Sequence, residues 1–173
     1  LAAKRIAFGK LLNCGQTCVA PDYILVERSV KDEFLVYLKK WIVRMYGADA
    51  TENDAYVKMI NQKHFDRVTG LIDPEKVIFG GGRNERTMQI QPTILDDVTA
   101  EDAVMQEEIF GPIFLILSVD SMAEAEEFIC KREKPLALYL FTQNKALAER
   151  FLRYVPFGGG CINDTIIHLA TSR

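Results

Sequence analysis

The residue best suited to do chemistry is Cys18, in the stretch Asn13-Cys14-Gly15-Gln16-Thr17-Cys18-Val19-Ala20-Pro21-Asp22-Tyr23. It lies between a helix-period run over residues 1–12 and an apolar run over residues 23–26 that reads as a buried strand. Gly15 frees the turn and Pro21 stops anything helical, which sets the sulfur in a loop, where nucleophiles are usually displayed. The opposing reading is a small buried hydrophobe, because free cysteines are among the most buried residue types. A second stretch, Met105-Gln106-Glu107-Glu108-Ile109-Phe110-Gly111-Pro112, carries paired carboxylates. Adjacent carboxylates usually both face solvent. Here the pair runs into an aromatic, a glycine and a proline ahead of a core strand, which holds one acceptor and one ring in fixed positions against a ligand. His64, one residue before the apolar Phe65, reads as a helix-face histidine. The alternative is a Cys18–His64 nucleophile–base pair with an aspartate as orienter, an arrangement recognised only by geometry.

Other candidates resolve into structure. Gly80-Gly81-Gly82 lacks the Lys-Ser/Thr that completes a phosphate loop and reads as a strand-to-strand turn. The glycines at 158–160 miss the dinucleotide spacing and read as a turn. Cys14, Cys18, Cys130 and Cys161 have no tight paired spacing of the zinc or disulfide-framework kind; Cys14 and Cys18 are four apart, and His64 and His168 are far from that pair in sequence. No metal site is expected. Reduced thiols point to an intracellular, cytoplasmic protein.

The elements that must position these residues come next. The 173 residues suffice for one domain, with 49% hydrophobic, 26% charged and 10% aromatic content. Net charge is −3 and the pI about 5.5, with signs interspersed, so no nucleic-acid or anionic-membrane footprint is present. No apolar run approaches the ~20 residues of a membrane span. An amphipathic helix is predicted over 1–12, with Lys4, Arg5 and Lys10 on its polar side. A second follows through Val30, Phe34, Leu38, Trp41 and Met45, with Ser29 as N-cap and Gly47 as stop. A third covers 61–72 and ends at Asp73-Pro74. Residues 77–79 form a short strand, and residues 90–95, around Pro92, an edge or irregular one. A short helical segment falls within 99–108, and residues 113–119 form a strand covered on both faces. Helices around Met122–Ile129 and Leu147–Val155 then alternate with a buried strand at 136–141 and another near Cys161. This alternation predicts an α/β fold, three-layer α/β/α with a mainly parallel sheet, whose sites gather at the carboxyl ends of strands. The chain starts without methionine inside a helix pattern and stops after an apolar run, so it reads as a piece of a larger protein.

Together the two stretches resemble a known family. Gly15-Gln16-Thr17-Cys18 is similar to the G-Q-x-C active-site signature of the aldehyde dehydrogenase superfamily, and Glu107-Glu108-Ile109-Phe110-Gly111-Pro112 to its E-E-I-F-G-P cofactor motif. Residues 18–23, 61–68 and 134–139 are similar to the class 3 branch, which oxidises fatty and aromatic aldehydes. The resemblance covers essentially the whole chain. It implies that Cys18 is the nucleophile, forming a thiohemiacetal and then a thioester, with Glu108 on the nicotinamide ribose and Phe110 beside the nicotinamide. It implies NAD or NADP as cofactor, a small-molecule aldehyde as substrate and a homodimer for the full-length enzyme. By the same resemblance, residues 1–173 are a catalytic domain. The general-base glutamate, the oxyanion asparagine, the dinucleotide-binding domain and the oligomerisation segment, with any membrane-anchoring tail, lie outside it. The piece alone is expected to be inactive. A cysteine hydrolase or acyltransferase using Cys18, and a non-catalytic α/β module, are the alternatives.

Overall fold

Two periodicities alternate down this chain, and the computed structural model, which describes residues 1–170, turns them into helices and strands in the expected order. Helix α1 (Ala2–Leu11) buries Ala3, Ile6, Ala7 and Leu11, and packs on α2 (Lys31–Tyr46), which buries Leu35, Leu38 and Ile42. Lys10, expected on the polar side of α1, is instead only 1% exposed. Ser29 does not cap α2: residues Arg28–Val30 form a 3-10 turn and Val30 takes the cap position without a side-chain bond. Asp32 and Glu33 in the first turn complement the positive helix end instead. Gly47, at φ +91°, ends the helix as predicted. Helix α3 (Gln62–Gly70) starts at Asn61, whose side chain accepts from the His64 N–H at 3.0 Å, and stops short of Ile72.

The main sheet contains β1 (Tyr23–Glu27), β2 (Val77–Phe79), β5 (Thr93–Leu95) and β6 (Ile113–Val119), ordered β1-β6-β5-β2. β6 is parallel to both β1 and β5, and only β2 runs antiparallel. A hairpin of β3 (Arg83–Asn84) and β4 (Gln89–Ile90) follows the glycine turn, where Gly80 and Gly81 adopt φ +75° and +86°. Residues 90–95 are irregular as expected, broken at Gln91-Pro92 between the end of β4 and β5, but the edge alternative does not hold. β5 is fully buried inside the sheet, because Pro92 stands just before its first residue, where the missing N–H interrupts no ladder bond.

Helix α4 (Met122–Cys130) precedes β7 (Ala137–Leu140), and α5 (Lys145–Tyr154) precedes β8 (Gly159–Ile162); β7 and β8 pair in parallel as a separate ribbon. β7 was expected to be buried, yet only Leu140 is. The reason is a cavity of about 460 Å³ lined by every residue of both β1 and β7. The architecture is α/β with a mainly parallel sheet. No helix among the described residues is long and apolar enough to cross a membrane.

Candidate active site

Where α1 ends, the backbone turns through three left-handed residues, Asn13 (φ 52°), Cys14 (φ 57°) and Gly15 (φ 73°). Local bonds hold this costly conformation. The Asn13 side chain donates to the Gln16 carbonyl at 3.1 Å, and Gln16 Nε2 donates to the carbonyls of Asn13 and Lys58, each at 3.1 Å. Gln16 Oε1 accepts from the Ile60 N–H at 2.9 Å. The Ala20 N–H then bonds the Thr17 carbonyl at 3.0 Å, a turn with Cys18 at its second position. Cys18 is exposed there. The Val19 carbonyl accepts from the Tyr139 hydroxyl at 2.7 Å, tying the loop to β7.

The structure separates the two neighbouring thiols. Cys14 is buried and bonded to the Tyr56 hydroxyl at 3.4 Å, and burial pushes its thiol up to about 11. A thiol so desolvated is inert as a nucleophile. Cys18 is the accessible one.

The carboxylate stretch is gripped from α3. Arg67 Nη1 donates to Glu107 at 2.9 Å and to the Glu108 carbonyl at 3.2 Å, while Nη2 reaches the Ile109 carbonyl at 2.6 Å. Phe110 adopts φ 49°, and a Cβ on Gly111 would lie 2.7 Å from Val68 of α3. The two motif loops meet at their glycines: a Cβ on Gly15 would come within 2.2 Å of the Gly111 carbonyl oxygen. Backbone therefore packs on backbone, which side chains at these positions would prevent. Cys18, Glu108 and Phe110 line one cavity. Glu108 is exposed and Phe110 half-buried.

Lys10 and Asp22 line the same cavity, 3.8 Å apart. Burial lowers the lysine and raises the aspartate, while each partner's charge opposes the shift. Tyr139 is pushed up to about 12, chiefly by burial, with the Cys161 and Cys18 sulfurs acting in the same direction. His64 is on α3, neither lining the cavity nor hydrogen-bonded to Cys18. Arg67, Tyr139 and Lys10 are positioning groups that sequence reasoning missed; no motif marked Arg67, and Lys10 looked like an ordinary helix-face charge. Asn163 (φ 59°), to which the sequence assigns no role, accepts from the Thr142 N–H at 3.0 Å and donates to the Thr142 carbonyl at 2.8 Å, joining the ends of β7 and β8.

Comparison with known proteins bears on this geometry. The 4,4'-diaponeurosporen-aldehyde dehydrogenase of Staphylococcus aureus is 47% identical over 175 residues, covering 100% of this chain and 38% of that protein. The dimeric NADP-preferring aldehyde dehydrogenase of Bos taurus is 46% identical over 170 residues, covering 98% of this chain and 71% of its own length. A solved Staphylococcus aureus AldH in a substrate-bound state superposes with a TM-score of 0.96 at 47% identity, over 98% of this chain and 38% of that one. An indole-3-acetaldehyde dehydrogenase complexed with NAD+ gives a TM-score of 0.83 at 26% identity, over 94% of this chain and 35% of that one. The chain thus spans well under half the length of the first of these relatives. The model of the aldehyde dehydrogenase family matches residues 1–172. This chain belongs to the aldehyde dehydrogenase family.

Proposed function

We propose that this chain is the nucleophile-bearing catalytic domain of an NAD- or NADP-dependent aldehyde dehydrogenase, which oxidises an aldehyde to a carboxylic acid through Cys18. The observation that carries the reading is the Gly15–Gly111 contact, which brings the Cys18 loop and the Glu108–Phe110 turn to one cavity. The residues suit the cofactor: an exposed carboxylate can accept from a ribose diol, and the Phe110 ring, held by a left-handed backbone, offers a face for a flat heterocycle. Bound there, a nicotinamide supplies the acceptor for the hydride that leaves the substrate carbon.

The chain's own part is covalent. The Cys18 thiolate attacks the carbonyl carbon, and the Cys18 backbone N–H stabilises part of the resulting oxyanion. Once oxidised, the thiohemiacetal is a thioester, which water hydrolyses to release the acid and return the thiol.

Other parts of the proposal concern the whole protein. β1 pairs only with β6, and β7 only with β8, among the described residues, so each presents an unpaired edge to the cavity. Each such edge offers a backbone ladder that a further strand of a longer polypeptide can join. That supports a domain arrangement in which base, dinucleotide-binding domain and oligomerisation segment are contributed from outside this stretch. The relatives named as dimeric support a homodimer, and four free cysteines support a cytoplasmic location.

Two measurements test the reading. The 173-residue chain should show no aldehyde-dependent NADH formation, and robust turnover would refute the domain assignment. With limiting iodoacetamide, Cys18 should label ahead of Cys130 and Cys161; equal labelling would favour a non-catalytic module.

A further inference from the structure

β8 carries a second thiol that the proposed reaction does not use. Cys161 stands opposite Tyr139 in the parallel β7–β8 ladder. His168, from the 3-10 turn Ile167–Ala170, lies against both residues. Its ring centroid is 5.8 Å from that of Tyr139 at an interplanar angle of 54°, and its Nδ1 is 3.6 Å from Cys161 Sγ. Gly159 makes this possible, since a Cβ there would come within 2.9 Å of the imidazole. Both residues are half-buried, whereas Cys14 is sealed in the core. An imidazole nitrogen in contact with a partly exposed sulfur is the arrangement in which histidine takes a thiol proton and leaves a nucleophile. Cys130, at the end of α4, is more exposed but has no hydrogen bond to a histidine.

We propose that Cys161 and His168 form a second thiol–imidazole dyad, a site of covalent addition for soft carbonyl electrophiles of the 2-enal class. His168 Nδ1 accepts the Cys161 proton, and the thiolate forms a C–S bond at the β-carbon as the C=C electron pair moves toward the α-carbon. The α-carbon then takes the proton back from the imidazolium. The product is a saturated thioether aldehyde, with no electrons gained or lost and no further reactant. The choice of electrophile rests on the aldehyde-oxidising reading; the dyad itself rests on the sulfur–imidazole geometry.

The test treats the 173-residue chain with limiting iodoacetamide and, separately, with trans-2-nonenal followed by borohydride, then quantifies labelled tryptic peptides by mass spectrometry. Cys18, Cys130 and Cys161 fall on different peptides, and fragment ions separate Cys18 from Cys14, which shares its peptide. Cys161 should outpace the more exposed Cys130 by about tenfold with both reagents, a modest demand on a positioned base. His168→Gln should remove that excess and leave the Cys18 and Cys130 rates unchanged. A Cys161 rate no higher than that of Cys130, or an excess that survives His168→Gln, overturns the dyad. The wild-type comparison decides even if the variant misfolds. An excess with iodoacetamide but none with the enal overturns the electrophile class. Slow labelling at Cys18 alone refutes the proposed function and not the dyad.

Discussion

Gly15→Ala attacks the contact on which the site depends, and its cost can be worked from the structure. The residue has φ +73°, where an L side chain loses about 1–2 kcal/mol. The new methyl would also sit 2.2 Å from the Gly111 carbonyl oxygen and 3.2 Å from that of Lys10. Both obstacles are backbone, so one loop must retreat, and overpacking of this kind costs about 1–3 kcal/mol. Together these give about 3 kcal/mol, or roughly 6–12 °C in Tm for a chain of this size. Gly81→Ala isolates the strain: its φ is +86°, but the nearest obstacle is a Val77 methyl at 3.2 Å, which can rotate away. Thermal and urea unfolding of both variants give the difference. The Cys18 alkylation rate, read on the same samples below the transition, should change in Gly15→Ala and not in Gly81→Ala. If Gly15→Ala is no more destabilising than Gly81→Ala, the two motif loops are not packed on each other and the proposed site loses its foundation.

Arg67→Ala should cost about 2 kcal/mol in urea unfolding, because its three charge-assisted bonds fasten the Glu107–Ile109 turn to α3. Arg67→Lys should recover less than half, since a point charge cannot span three acceptors, and a loss under about 0.5 kcal/mol in the alanine variant would refute the clamp. Alkaline stability should report Cys14. Its folded thiol holds its proton up to about 11 against 9.0 for the ordinary group, so between those values the unfolded chain binds fewer protons and stability falls as pH rises. One group with that shift removes about 1 kcal/mol between pH 9 and 10. Urea midpoints should show this slope in the wild type and a flatter one in Cys14→Ala; an unchanged slope would place the thiol in solvent. Asn163→Ala should loosen the ends of β7 and β8, seen as faster amide exchange at positions 142 and 163 with little change in β6.

How far the site was legible in the sequence follows from the range of the interactions that build it. Residues 113–119 declared themselves as a buried strand because continuous apolarity is a local property, and Gly47 or Asn61 act on the neighbouring turn. Cys18 and Glu108 could be singled out for the same reason: each stands beside its own glycine and proline punctuation. What local pattern cannot carry is which remote backbone fills the space beside a glycine. Gly15 is needed for Gly111, and Arg67 for three groups in a turn of 107–109, and neither requirement leaves a mark within a few residues of itself. Lys10 shows the same limit: nothing in its helix says that the polar side of α1 meets Asp22 and a cavity rather than water. The interior place of β5, between β6 and β2, was likewise decided by partners remote in the chain. The glycines therefore deserve to be read as contacts awaiting a partner. Gly15, Gly111 and Gly159 each admit something a Cβ would exclude: a carbonyl, a valine and an imidazole. Two of those three contacts assemble the Cys18 site, and the third brings His168 against Cys161.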